Sequence, residues 1–275
     1  MAHLIAFLTW RCGLGCPYCG YYLQPDGMSL KYCPFQDKHT YVVEREITGD
    51  EWIKQLKHFA KLQYTIEFCG GEVTKHHDFV KIANSLPQWA ITSNTMNLPE
   101  GLDYSKCFSW TASLHYHIGD KGIQKFMNNV DIIASKVSSY SMTMVAMPNT
   151  IARVKALSEM LTSKGIKNQQ HVFYDDPSFS WYHHPKELKE LETLPNVCYE
   201  KRLFSWGQVK GSSMCRGGSG YITIGPDGKM FRCLTAMLEG WGEIPAPDIN
   251  FYDCKRPCHL PCDWSWRDWL WGSGA

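Results

Sequence analysis

The sequence predicts an α/β fold: an open, partial (β/α)6 barrel followed by a small cysteine-rich C-terminal unit that contains a β-hairpin. Three observations predict it. The first two thirds alternate short β-rich runs with helix-periodic stretches, in about six units, fewer than the eight of a closed barrel. From about residue 199 onward no long amphipathic helix appears. The cysteines gather mainly at 12–19 and 215–262, one group in each part of the chain.

Residues 3–9 read as a short buried strand that runs into a cysteine-rich loop. After a long loop, Thr48 and Glu51 form a capping-box pair, and Trp52, Leu56, Phe59 and Gln63 continue at helical spacing. The β-rich run Tyr64-Thr65-Ile66-Glu67-Phe68 leads straight into Gly70-Gly71. Phe79, Ile82, Ala83 and Leu86 mark one helix face, and strands follow at 89–93 and 108–114. The clearest helix is 122–137, where Ile123, Phe126, Met127, Val130, Ile133, Ala134 and Val137 make an unbroken apolar stripe. A strand near 141–147, a helix at about 151–164 stopped by Gly165, a strand at 169–174 and a helix opened by Pro185 complete the alternation. In the last part, Tyr221-Ile222-Thr223-Ile224 and Lys229-Met230-Phe231-Arg232 flank Gly225-Pro226-Asp227-Gly228, a hairpin with type I turn chemistry. The division is therefore expected near 198, giving units 1–198 and 199–271.

Composition narrows the function. The 275 residues carry 28 Lys+Arg and 27 Asp+Glu, a net charge of +1, which argues against a protein that wraps nucleic acid. The early apolar run Leu4-Ile5-Ala6-Phe7-Leu8 is too short for a signal-peptide core or a membrane span. A cytoplasmic location and no membrane partner are expected. Reduced thiols in that compartment make clustered cysteines metal ligands rather than bridges. The twelve cysteines are too sparse for a disulfide miniprotein.

Cys12, Cys16 and Cys19 follow the first strand with the spacing C-x3-C-x2-C. A short loop with two glycines can turn three thiolates toward one face of an iron–sulfur cluster. Ordinary clusters use one cysteine per iron, so three leave one iron open to a ligand. A structural zinc favours closed four-ligand sets, and only Cys33 and His39 lie near enough in sequence to supply a fourth. The spacing, with the aromatic Tyr18 before Cys19, resembles the radical S-adenosylmethionine (radical SAM) superfamily, whose signature is C-x3-C-x-aromatic-C. Gly70-Gly71-Glu72 after the second strand matches that superfamily's second marker, with Val73 where proline is common. The resemblance implies a [4Fe–4S] cluster held by Cys12, Cys16 and Cys19. It also implies that the backbone at Gly70, Gly71 and Glu72 holds the amino group of S-adenosylmethionine. By the same resemblance, Ser93, Asn94 and Ser113, at strand ends, are candidates for its ribose or carboxylate.

Cys215, twelve residues, Gly228, four residues and Cys233 are followed by Cys254, Cys258 and Cys262. This pattern resembles the SPASM extension of radical SAM enzymes, or its shortened Twitch form. Five cysteines suffice for one auxiliary [4Fe–4S] cluster, which the resemblance assigns to Cys215, Cys233, Cys258 and Cys262, with Cys254 as the other candidate for the fourth position. A zinc knuckle is the competing use of the same thiolates. Cys69, Cys107 and Cys198 read as small buried hydrophobes. His76-His77 and His183-His184 are neighbouring pairs expected to face apart, and so are weak as metal sites.

The resemblance implies reductive cleavage of S-adenosylmethionine to a 5′-deoxyadenosyl radical that removes hydrogen from an unactivated carbon. It implies an external electron donor such as flavodoxin or ferredoxin, and a peptide substrate to be oxidised, cross-linked or epimerised. A sugar- or nucleotide-derived metabolite is the alternative substrate. Because the first strand begins at residue 3, no peptide-recognition domain is expected ahead of it. Cys33 is a candidate hydrogen donor should the reaction be an epimerisation, and otherwise reads as an ordinary loop thiol. A non-enzymatic iron–sulfur electron carrier or sensor is the reading of another class; it needs neither an open three-cysteine site nor a Gly-Gly-Glu loop.

Overall fold

A computed structural model describes residues 2–16, 43, 45–172, 185–194, 221–233, 236–237 and 243–245. The alternation read from sequence is realised as β1 (His3–Phe7), α1 (Gly49–Lys61), β2 (Thr65–Cys69), α2 (Phe79–Ser85), β3 (Trp89–Ser93), β4 (Cys107–Leu114), α3 (Gly119–Ala134), β5 (Tyr140–Ala146), α4 (Ile151–Ser163), β6 (Asn168–Val172) and α5 (Pro185–Glu192). The later strands are β7 (Tyr221–Ile224), β8 (Met230–Phe231) and β9 (Glu243–Ile244). All belong to one sheet in the order β6-β5-β4-β3-β2-β1-β7-β8-β9. Strands β1 to β6 pair in parallel and in chain order. Among the described residues the sheet is open, with β6 and β9 at its edges. The helix α1 begins as expected: Glu51 N–H donates to the Thr48 hydroxyl at 3.3 Å and Thr48 N–H to the Glu51 carboxylate at 2.7 Å. It stops at Lys61, short of Gln63, which turns the chain with φ of 62°.

Strand alternation sorts the side chains onto two faces. Leu4, Ala6 and Leu8, Ile66 and Phe68, Trp89 and Ile91, Trp110 and Ala112, and Met142 and Met144 pack with helix residues such as Trp52, Phe79, Phe126 and Val154 in the main core. Burying a side chain of this size stabilises the fold by roughly 1.5–3 kcal/mol. The alternate residues line the other, concave face. On β1 these are Ile5 and Phe7, covered by Trp10, Val43, Phe231, Ala236 and Met237. On β2, β4 and β5 most of them are polar: Thr65, Glu67, Ser109, Thr111, Ser141 and Thr143 are all buried.

The hairpin joins this same sheet. Strand β7 pairs in parallel with β1, from His3 against Tyr221 to Ala6 against Ile224. The turn carries the expected closing bond, Gly228 N–H to the Gly225 carbonyl at 2.9 Å, with Gly228 at φ of 80°. Gln55 of α1 donates to the Gly228 carbonyl at 2.9 Å, and Ile47 N–H to that of Pro226 at 2.9 Å. The turn is thus fastened to the barrel. No described helix is long and apolar enough to cross a membrane.

Candidate active site at the strand C-termini

The cysteine loop leaves the C-terminal end of β1, where parallel α/β sheets place their ligands. Past the strands, the β1–β2 pairing continues into the loop. Gly71 N–H donates to the Thr9 carbonyl at 2.9 Å, and Glu72 N–H to that of Arg11 at 2.8 Å. The two glycines permit this contact. A Cβ on Gly70 would lie 2.4 Å from the Thr9 oxygen, and one on Gly71 would lie 2.2 Å from the Trp10 oxygen. Gly70 also has φ of 147°, which disfavours a side chain. In this structure the glycines therefore seat the chain that leads to Cys12.

Glu72 is 2% exposed, and its carboxylate is filled by neighbouring donors. One oxygen accepts from the Thr74 hydroxyl at 2.7 Å, the Thr74 N–H at 3.2 Å and the Ser93 hydroxyl at 2.8 Å; the other accepts the Asn94 N–H at 2.7 Å. The Gly-Gly-Glu turn is thereby tied to the end of β3. Thr9 and Arg11 are held from the other side: Thr9 donates its hydroxyl to Glu46, and Arg11 pairs with Glu46 at 3.1 Å.

Cys12 and Cys16 both lie in this region. Burial pushes the Cys12 thiol up, and the nearby Glu72 charge adds to the rise. The N–H groups of Leu14 and Gly13 and the side-chain amide of Asn94 oppose it by favouring the thiolate. Cys16 is buried against Leu14, Val145 and Met147. His115, just past β4, places Nδ1 3.4 Å from the Cys16 sulfur, and His117 places Nε2 2.8 Å from the Leu14 carbonyl. Burial, reinforced by His117, pushes His115 down to about 4, so its imidazole is neutral.

Of the residues singled out from sequence, Cys12, Gly70, Gly71, Glu72, Ser93 and Asn94 come together here, and Cys16 lies farther along the same loop, against Val145 and Met147. Ser113 stands on the concave face, its hydroxyl 3.0 Å from that of Thr143 on β5. Tyr18, Cys19, Cys33, Cys215, Cys254, Cys258 and Cys262 lie outside the described residues. Cys233 follows β8, and its sulfur accepts the Ala236 N–H at 3.4 Å. Cys107 is fully buried in the main core and Cys69 half-buried. His76 and His77 do not face apart; their rings stack at 4.8 Å, and His76 caps the Asp78 N–H at 3.2 Å. His115, His117 and Glu46 escape a sequence reading, although a polar pair directly after a predicted strand end was a usable signal for the histidines.

The donor set suits an iron–sulfur cluster. Burial holds the Cys12 thiol up, and the Leu14 and Gly13 N–H groups and the Asn94 amide stand ready to donate to the thiolate that iron binding requires.

No protein-family model and no curated protein matches the chain. Among solved structures, it is similar to native anSMEcpe with bound AdoMet, with a TM-score of 0.59 and 17% identity over 87% of this chain and 76% of that one. It is similar to Streptococcus suis SuiB bound to S-adenosylmethionine, with a TM-score of 0.61 and 13% identity over 98% of this chain and 65% of that one. A third structure, native anSMEcpe with bound AdoMet and Kp18Cys peptide, matches with a TM-score of 0.57 and 17% identity over 87% of this chain and 75% of that one. The chain shares the fold of these structures. At these identities the likeness lies in the course of the backbone, and it carries the fold alone. Within that fold, the loop bearing Cys12 and Cys16 and the Gly70-Gly71-Glu72 turn stand side by side at one end of the sheet.

Proposed function

We propose that this chain is a radical SAM enzyme whose first cluster is held by Cys12, Cys16 and Cys19 and whose substrate is a peptide. The observation that carries the reading is the junction of the Cys12–Cys16 loop with Gly70-Gly71-Glu72 and Ser93-Asn94. A carrier or sensor protein has no use for that arrangement. When bound, the cluster and S-adenosylmethionine supply a reductively formed 5′-deoxyadenosyl radical that removes hydrogen from an unactivated carbon.

The chain's own residues position and shield. The Gly71 and Glu72 N–H groups are occupied by Thr9 and Arg11, which leaves carbonyls as the backbone groups to receive an ammonium. Glu72 fixes those carbonyls relative to Asn94, and Asn94 in turn reaches the Cys12 sulfur. Ser113 is assigned to the cofactor's ribose or carboxylate. Leu14, Val145 and Met147 around Cys16 keep water from that ligand. Tyr18 is assigned the aromatic position beside the cluster.

Residues 199–271 form the second unit of this reading. They carry an auxiliary [4Fe–4S] cluster on Cys215, Cys233, Cys258 and Cys262. The N–H donated to the Cys233 sulfur supports that assignment for the one described member. A flavodoxin- or ferredoxin-type protein delivers the electron. The peptide assignment draws support from the fold shared with anSMEcpe, one structure of which holds a peptide.

A second reading, a polar metabolite as substrate, is favoured by a different observation. The concave face of β2 to β5 presents Glu67, Thr92, Thr111, Ser113, Ser141 and Thr143, with Thr92 donating to Glu67 at 2.7 Å. Such a face suits a hydroxyl-rich ligand.

Anaerobic reconstitution with iron and sulfide, reduction, and chromatography for 5′-deoxyadenosine tests the enzyme reading. Formation of 5′-deoxyadenosine is expected, and its absence with intact clusters overturns the reading. Hydrogen abstraction from deuterated peptide or deuterated sugar libraries, read as deuterium in 5′-deoxyadenosine, separates the two substrate classes.

A further inference from the structure

We propose that His115 is a positioning residue for the cysteine loop which, with the cluster in place, donates its Nδ1–H to the Cys16 sulfur and raises the cluster's reduction potential. This role rests on the reading of Cys12, Cys16 and Cys19 as cluster ligands. Its basis is the placement of one turn, distant in sequence, against the loop.

The residues after β4 form a short 3-10 turn, Tyr116–Ile118. Tyr116 anchors this turn in the core, with its hydroxyl donating to the Met144 sulfur at 3.1 Å. His115 and His117, on either side of it, both reach the cysteine loop, a hundred residues earlier in the chain. The Leu14 carbonyl can only accept, so His117 carries its proton on Nε2. That bond fixes the loop two residues before Cys16.

The chemistry at Cys16 decides the direction of the other bond. A free thiol can donate or accept. An iron-bound cysteine has lost its proton and can only accept, so Nδ1 of His115 must be the donor at the observed 3.4 Å spacing. Cys16 is 6% exposed, which leaves little access for water as a substitute donor. Hydrogen bonds to cluster sulfurs are among the levers that set potential. They strengthen as electron density on the sulfur rises, so this one favours the reduced state.

The experiment uses the full chain, reconstituted anaerobically, with EPR-monitored redox titration of the cluster whose spectrum responds to S-adenosylmethionine. His115→Leu is expected to lower its midpoint by up to about tenfold in the reduction equilibrium, ~59 mV for one electron. His115→Asn, which retains an N–H donor, is expected to recover most of that shift. An unchanged midpoint in His115→Leu with full iron content overturns the role. If His115→Leu fails to load iron, pulsed EPR of the reduced wild-type protein labelled with 15N-histidine decides instead. A histidine nitrogen coupling that is lost in His115→Asn supports the bond, and no coupling overturns it. A wild-type protein that forms no cofactor-responsive cluster overturns the underlying function and this role with it. A responsive cluster with an unaltered midpoint overturns the role of His115 alone.

Discussion

Glu72 and Asn94 are joined by a 2.7 Å hydrogen bond from backbone to carboxylate, which locks the turn after β2 to the end of β3. The other Glu72 oxygen accepts from Ser93 and twice from Thr74. Four donors around one buried carboxylate leave it little capacity for a ligand. Its work is to hold the glycine turn, and Ser93 shares in that work through its hydroxyl. The side chain of the motif glutamate is thus occupied in fixing the turn to the end of β3.

Replacing Glu72 by Gln tests this. One carboxylate oxygen becomes an NH2 group, which must then face either the Asn94 N–H or the donors of Ser93 and Thr74. A buried donor left against a donor costs about 1–3 kcal/mol. A fall of several degrees in melting temperature is expected, on the scale of ~2–4 °C per kcal/mol for a domain of this size. S-adenosylmethionine binding should weaken along with it. An unchanged melting temperature would show that the network is slack.

Gly71 and Gly15 should respond very differently to alanine. A Cβ at Gly71 would sit 2.2 Å from the Trp10 carbonyl oxygen, so the loop backbone must move. Gly15 has φ of 57° but, among the described residues, nothing within 4 Å of an added Cβ. Gly15→Ala then costs only the left-handed backbone penalty, about 1–2 kcal/mol. Iron content after reconstitution is expected to fall sharply in Gly71→Ala and to stay near wild type in Gly15→Ala. Equal loading of the two variants would refute the close-approach argument.

The strand and helix pattern was legible because each element carries its own period: the α1 capping box and the 122–137 stripe both mark real helices. The helix α3 starts earlier than its stripe, at Gly119, because the 3-10 turn before it leads directly into the first helical turn. The cysteine loop and Gly70-Gly71-Glu72 were legible as spacings. What those glycines face was not, since it depends on a contact between residues 9–11 and 70–72 that no local pattern encodes. His115 and His117 were hidden for the same reason. The polar concave face was also missed: Thr and Ser suit strands on either face, and only the sheet shows that they fall together. The hairpin was read correctly, but its parallel pairing with β1 is a long-range choice that a turn signal cannot reveal.

The N-terminus of α1 should show in the acid limb of stability. The Arg45 side chain, followed by the Thr48 N–H and hydroxyl, holds the Glu51 carboxyl down at about 2. A folded value below the unfolded one means that the unfolded chain takes up the proton first as pH falls. The contribution is therefore fully present above the usual carboxylate value near 4.5 and is lost as pH drops toward about 2. Urea midpoints of wild type and Glu51→Gln should differ at pH 6 and converge through that window. Salt should shrink the part owed to the exposed Arg45 pair and leave the Thr48 cap in place. A gap that stays constant with pH would remove Glu51 titration as its source.

Ser113 and Thr143 lie opposite one another in the β4–β5 register, with their hydroxyls 3.0 Å apart. Each satisfies the other on a face where water is scarce, since Thr143 is 8% exposed. Ser113→Ala and Thr143→Val should each cost about 1 kcal/mol in urea unfolding. The double variant should cost less than their sum by about 1 kcal/mol, because the second change removes a group already left unpartnered. Binding separates structure from function at this pair. If Ser113 meets the cofactor, Ser113→Ala weakens S-adenosylmethionine binding to the reconstituted protein by roughly tenfold, the equivalent of one hydrogen bond. Thr143→Val, one strand farther from Gly70-Gly71-Glu72, should leave that affinity within about twofold. Equal losses in both variants would assign the pair to the architecture of the sheet and withdraw Ser113 from the cofactor site.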